Sequence, residues 1–311
     1  MSFSAGVSTM KSPWLSLFTV LTLIFLSGFD LSNHSVPKSE ILSGGPPKDG
    51  IPSIDRPKFV SANKADFLKK KDRIIGYVHN GVSKAYAIKI LNWHEIVNDE
   101  VGGKPVVVSF CPLCGTGMIF DADSGERGLT FGVSGLLYQS DMLLYDRQTE
   151  SLWSQIKSEA VTGRLIGRKL KLLPSTQTTW GAWKKKHPNT LVLTTETGYS
   201  RSYDQDPYEG YSKTKKLFFS VTHQSHEYHP KEQIIGIQVG NIYKAWPFIE
   251  LARTKSPLNQ SINGRSLKIE FDKNSRTATV FNESGKEYPS VVAFWFAWYT
   301  FHPETQIYKA K

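Results

Sequence analysis

Ile74-Ile75-Gly76-Tyr77-Val78, then Asn80-Gly81, then Lys84-Ala85-Tyr86-Ala87-Ile88 is the stretch whose reading decides the fold. Two apolar runs rich in β-branched and aromatic residues flank an Asn-Gly pair, which is the signature of a β-hairpin. The same phrasing returns as Ile234-Ile235-Gly236-Ile237-Gln238, Gly240-Asn241 and Lys244-Ala245-Trp246-Pro247-Phe248. Two further matches follow in the same order. Gly103-Lys104-Pro105-Val106-Val107-Val108-Ser109-Phe110 parallels Gly264-Arg265-Ser266-Leu267-Lys268-Ile269-Glu270-Phe271, and Trp180-Gly181-Ala182-Trp183 with His187-Pro188 parallels Trp295-Phe296-Ala297-Trp298 with His302-Pro303. The Trp-x-Ala-Trp spacing suits a short amphipathic helix that ends at His-Pro. The expected fold is α+β and β-rich: a single domain over residues 59–311, built of two related halves at about 74–193 and 234–308, with short helices packed on sheets.

What both halves share reads as scaffold, so His187 and His302 are expected to pack or cap. What one half holds alone is the candidate for chemistry. Val106-Val107-Val108-Ser109-Phe110 reads as a buried strand and runs into Cys111-Pro112-Leu113-Cys114-Gly115, and these are the only two cysteines in the chain. The second half has Asp272 in the place of Cys111. His94 also has no counterpart, and Trp93-His94-Glu95-Ile96-Val97-Asn98 reads as helical. Leu129 to Gln155 is a second feature of the first half alone: apolar segments joined by turn residues, expected to form strands that fold back over the Cys-x-x-Cys strand end. Gly132-Val133-Ser134-Gly135 within it is neither a nucleophile elbow nor a phosphate loop, and reads as a β-turn.

Two thiolates on one turn present half of a soft-metal site, so copper or zinc is the expected ion, with His94, Asp141 and Met142 as the nearest further ligands. A redox dithiol is a second reading, and a non-enzymatic binding module with a structural Cys111–Cys114 disulfide is the alternative to both. Asp146, Arg147, Trp153 and Gln155 form a polar patch expected to contact substrate. His223, His226 and His229 match no known cage spacing, and Tyr203 to Tyr208 reads as a surface turn rather than a calcium loop.

The net charge is +10, carried in short lysine runs such as Lys69-Lys70-Lys71 and Lys184-Lys185-Lys186. No nucleic-acid motif accompanies them, so solvated surface is expected and a nucleic-acid partner is not. Residues 1–29 hold Lys11 ahead of the apolar run Trp14 to Leu26, too short for a comfortable membrane span of about 20 residues. They read as a signal peptide or an uncleaved N-terminal anchor that would keep the protein near a membrane. Export to a periplasmic or extracellular setting is therefore expected. Residues 30–58, rich in Ser, Pro, Gly and Lys, read as a flexible linker.

Several of these stretches together resemble a known family. His94 to Asp99, Cys111-Pro112-Leu113-Cys114-Gly115-Thr116, Phe131 to Gly135, Tyr145 to Thr149, Ser151 to Gln155, and Asp206-Pro207-Tyr208 with Tyr211 are similar to the domain-of-unknown-function 3179 family. The resemblance spans about residues 70–309. It implies no activity, because the family is named for an unknown one. His223 and His226 look private to this chain.

Overall fold

The computed structural model describes residues 28–123 and 128–311, so all but the last two residues of the expected signal or anchor segment lie outside the described residues. No helix among the described residues is long and apolar enough to cross a membrane. In chain order the elements begin with β1 (Ile41–Ser43), β2 (Phe59–Ser61), β3 (Arg73–His79), β4 (Val82–Ala87) and α1 (Ile88–His94). The meander β5 (Ile96–Val101), β6 (Lys104–Cys111) and β7 (Thr116–Asp121) follows. Next come β8 (Phe131–Tyr138), β9 (Asp141–Asp146), β10 (Leu152–Ser154), β11 (Glu159–Ala160), β12 (Leu172–Leu173), β13 (Thr176–Thr179), α2 (Trp180–Lys186) and β14 (Leu191–Leu193). The rest is β15 (Gln233–Val239), β16 (Ile242–Pro247), α3 (Phe248–Leu251), β17 (Leu258–Ile262), β18 (Arg265–Asp272), β19 (Thr277–Asn282), β20 (Val291–Phe294), α4 (Trp295–Phe301) and β21 (Gln306–Ile307).

The strands form four sheets, ordered β13-β3-β4-β14-β2, β1-β8-β9-β10-β11, β17-β18-β19, and an eight-stranded sheet β21-β16-β15-β20-β7-β6-β5 that β12 joins beside β7. Around the first hairpin, β13 runs antiparallel to β3 from Thr176↔Gly76 to Thr179↔Arg73, leads into α2, and β14 returns parallel to β4. Around the second, β20 runs antiparallel to β15 from Val291↔Gly236 to Phe294↔Gln233, leads into α4, and β21 returns parallel to β16. Each helix drops a tryptophan onto its hairpin. A Cβ on Gly76 would lie 2.3 Å from the Trp183 ring, and one on Gly236 would lie 2.6 Å from the Trp298 ring. Glycine is therefore what lets these rings rest on the strands.

Both indoles are tied by the same kind of bond: Trp183 Nε1 donates to Thr190 Oγ1 at 3.0 Å and Trp298 Nε1 to Thr305 Oγ1 at 2.9 Å. Removing either hydroxyl leaves a buried N–H unmet. Thr190→Val and Thr305→Val are each expected to lower stability by about 1–2 kcal/mol, read as a fall in the urea midpoint with the m-value unchanged. An unmoved midpoint would show that the indole finds another acceptor.

Three departures from expectation concern the path of the chain. Residues 30–58 are not a loose linker: β1 pairs with β8 from Ile41↔Tyr138 to Ser43↔Leu136, while Val36 and Ile54 are buried. Single apolar residues spaced among Pro and Gly pack one at a time, a pattern with no period to read. Gly132 to Gly135 is not a turn but part of β8, with an irregular register between Val133 and Leu137. The helix at Trp93-His94 stops there, and Ile96 begins β5, so the expected helical run to Asn98 is half strand. Asn98 then clamps the insertion, donating from Nδ2 to the Phe131 carbonyl and accepting from the Phe131 amide at 2.9 Å.

Candidate metal centre

Strand β6 is buried from Val106 to Cys111 and separates two cores. Val106, Val108 and Phe110 face one, and Val107 and Cys111 the other, as the two-residue period of a strand requires. The β6–β7 ladder ends at Cys111↔Thr116, so the chain must reverse through Pro112, Leu113, Cys114 and Gly115. Gly115 has a φ of 60°, and a Cβ there would meet the Phe294 ring at 2.8 Å. The Phe294 amide donates to the Cys114 carbonyl at 2.8 Å. The reversal thus brings Cys114 back beside Cys111 at a packed strand end.

The hairpin turn between β8 and β9 supplies the third group. Gln139 and Ser140 have φ of 53° and 65°, the two left-handed central positions of a primed turn without the glycine such turns favour. Gln139 holds the turn in place. Its side-chain carbonyl accepts from the Thr222 amide at 2.6 Å and from Thr300 Oγ1 at 3.0 Å. The result is that the Ser140 carbonyl lies 3.3 Å from Cys114 Sγ and 3.9 Å from Cys111 Sγ, and Asp141 follows it directly. One ligand atom each from Cys111, Cys114 and Asp141 lie within 4.8 Å of one another, all buried. Among the described residues no other set of three His, Cys, Asp or Glu groups meets this condition.

The electrostatics are one-sided. Asp141 is fully buried, and burial pushes its carboxyl up to about 7 although the Ile156 amide and Ser154 hydroxyl oppose the shift. Burial also pushes the Cys114 thiol well up, with Cys111 and Asp141 adding to it. Glu95, buried at the end of α1, is pushed up to about 8 by burial first and by Asp141 second. Among the described residues no ion pair joins any of these acids to a Lys, Arg or His. Buried polar atoms without a hydrogen-bond partner gather at the same place: Asp141 Oδ1, Ser140 Oγ and Tyr211 OH, whose phenol is raised by burial and by both cysteines. Buried acids and orphaned oxygens with no cation among them have the chemistry to hold a positive ion. A thiol held in its protonated form is a poor nucleophile, which counts against redox exchange.

The other expected residues fall elsewhere. His94 does not join the group, because both ring nitrogens are engaged: Nδ1 with the Pro52 carbonyl and Nε2 with the Tyr203 hydroxyl, each at 2.7 Å. The left-handed Glu95, φ 56°, turns the chain so that the residue after the histidine carries the acid electrostatically coupled to Asp141. Sequence reasoning missed Glu95. Its position between a helix end and the strand paired with the cysteine strand is a signal, but its positive φ is not legible. Met142 is buried in the same apolar cluster as the two cysteines. The two cysteines are free, so the structural disulfide is not present. Asp272, opposite Thr277 as Cys111 is opposite Thr116, is exposed and hydrogen-bonded to Ser275. His187 packs on Trp183 and His302 on Trp298 and Tyr243.

The substrate patch is also redrawn. Asp146, Trp153 and Gln155 are completely buried, and Asp146 Oδ2 accepts from Trp153 Nε1 at 2.9 Å. Gln155 Nε2 donates to Ser109 Oγ at 2.9 Å and the Thr116 carbonyl at 3.3 Å, behind the cysteine strand end. Only Arg147 reaches the surface, where it pairs with Asp55 at 2.7 Å. These residues brace the insertion instead of offering it to a ligand.

The protein-family model described as "Protein of unknown function (DUF3179)" matches residues 48–287, most of the chain. No curated protein and no solved structure matches it.

Proposed function

The chain belongs to the DUF3179 family, and from that premise we propose that it is a metal-binding protein holding one zinc or copper ion between Cys111, Cys114 and Asp141. The observation that carries this is the buried, cation-free set of two thiols and a carboxyl within 4.8 Å, with Asp141 Oδ1 unpartnered. Thiolates select soft or borderline ions, and the carboxylate partner favours zinc over monovalent copper. Three protein ligands and an open fourth position is the arrangement of zinc sites that do chemistry, so the bound ion would polarise a ligand or water there. The apolar run near the N-terminus supports placing the protein outside the reducing cytosol. The matched wiring around β3–β4 and β15–β16 supports reading the domain as two related halves, only one of which gained the cysteines and the β8–β10 insertion.

Elemental analysis of the purified protein tests the reading. Wild type should carry about one zinc or copper ion per chain, and Cys111→Ser with Cys114→Ser should carry almost none. Asp141→Asn should retain metal only weakly, losing it to a mild chelator. Near-zero metal in wild type and variant alike, after refolding in zinc and in copper, overturns it.

A further inference from the structure

The cysteines and Asp141 are buried, so anything that reaches the ion must pass a wall. One cavity, of about 980 Å³, is lined from both parts of the chain, with Gln139 and Ile156 from around the turn and Trp298 and His302 from the opposite side. A second groove, of about 520 Å³, lies between Ile51, Trp93, Arg201 and Tyr208. Ile51 and Tyr208 pack from the groove against the apolar cluster that contains both cysteines. Tyr208 both lines the groove and packs against that cluster, so its ring stands between the groove and the centre; burial and the neighbouring Glu95 and Cys111 push its phenol up. The Glu95 carboxyl, buried behind it, has no hydrogen-bond partner among the described residues.

The charges around the groove are mostly spoken for. Asp204 pairs with Lys89 at 3.1 Å, and Asp206 Oδ1 accepts from Asn92 and from the Tyr208 amide, each at 2.9 Å. Arg201 is the exception: its guanidinium donates only to the neighbouring Ser200 carbonyl and meets no carboxylate among the described residues. It is a planar, permanently charged donor facing an apolar wall of Trp93 and Ile51.

We propose that this groove is the entrance to the Cys-Cys-Asp centre and selects small organic anions, the carboxylate docking on Arg201, the flat apolar body resting on Trp93 and Ile51, and passage controlled by Tyr208. This rests on the metal reading for what the anion does on arrival, but the route itself is read from the thiols alone.

The full-length protein, stripped of metal by chelator, is titrated at pH 8 with two aromatic disulfides: dianionic 5,5′-dithiobis(2-nitrobenzoate) and neutral 4,4′-dithiodipyridine. In each reaction a cysteine thiolate attacks the reagent's S–S bond, forms a protein mixed disulfide and releases one aromatic thiolate that is read by absorbance. Arg201→Glu should slow the anionic reagent about tenfold and leave the neutral one unchanged. Tyr208→Ala should speed both. Millimolar benzoate should protect the wild-type thiols from the neutral reagent and fail to protect Arg201→Glu. Gln238→Trp, which fills the larger cavity, should change nothing. An anionic rate indifferent to Arg201, an absence of benzoate protection, a slowing by Gln238→Trp, or thiols unreactive even in Tyr208→Ala each overturns the proposal. Failure of the metal reading shows separately, as absent metal with the Arg201 dependence intact.

Discussion

Trp153→Ala should cost about 4 kcal/mol of stability, among the largest losses that a single side chain in this protein can cause. The indole is fully buried, sits edge-on to Phe131 with ring centroids 5.8 Å apart, and belongs to the cluster that holds both cysteines. Its N–H has one partner, Asp146 Oδ2. That carboxyl also accepts from the Thr149 hydroxyl at 2.9 Å and the Thr149 amide at 2.6 Å, so it closes the turn between β9 and β10 while it holds the ring. Asp146→Ala leaves the Trp153 N–H and the Thr149 amide with nothing to meet, while the Thr149 hydroxyl keeps Ser151 Oγ at 2.8 Å, and should cost about 3 kcal/mol. Asp146→Asn keeps one acceptor and should cost roughly half as much. Urea unfolding of the three variants gives the ranking. If Asp146→Ala instead unfolds at the wild-type midpoint, the residue is not a brace. Arg147→Ala, at the exposed end of the same motif, removes a pair with Asp55 that lies partly in water and should shift the midpoint little.

What the sequence made legible was local. The two hairpins could be read because Ile-Ile-Gly, a turn pair and Lys-Ala-aromatic are contiguous, and because Gly76 and Gly236 each yield to a tryptophan that is itself in the pattern. The strand before Cys111 was equally plain, since a run buried on both faces carries no alternation and still shows as unbroken β-branched residues. Asp141 is legible as a candidate because it lies in the stretch Leu129 to Gln155 that follows the Cys-x-x-Cys strand end. What could not be read were facts of closure. His94 and Glu95 are adjacent, and one left-handed residue decides that the carboxyl and not the imidazole couples to Asp141. The burial of Asp146 and Gln155 depends on β8 to β10 closing over β6, a long-range event that makes polar residues structural without altering their local signature. Phe29 and Val36 fill the far side of that same insertion, next to Leu143 and Tyr145, which is why a Pro- and Gly-rich arm is ordered here.

Metal removal should reverse the pH dependence of stability. In the metal-free protein Asp141 and Glu95 hold their protons to about 7 and about 8, whereas the unfolded chain releases them near ordinary carboxylate values. Between those limits the native state binds more protons than the unfolded state, so each group makes stability fall as pH rises through that window. A displacement of about three pK units corresponds to on the order of 4 kcal/mol per group at full deprotonation. Three histidines act the other way. His94, His187 and His302 are held below their ordinary value by burial, so they add stability as pH rises toward 6.5 and nothing beyond it. Comparing metal-free wild type with Glu95→Gln plus Asp141→Asn cancels the histidines. The variant should gain on wild type steadily from pH 5 to pH 8, and the gap should close again below pH 4.5. With zinc present the slope inverts for wild type, because an ion takes the deprotonated thiols and carboxylate and binds more tightly as pH rises. A metal-free wild type that parallels the variant at every pH would mean that the two carboxyls ionise freely, and the cation-free cluster on which the metal reading stands would lose its electrostatic basis.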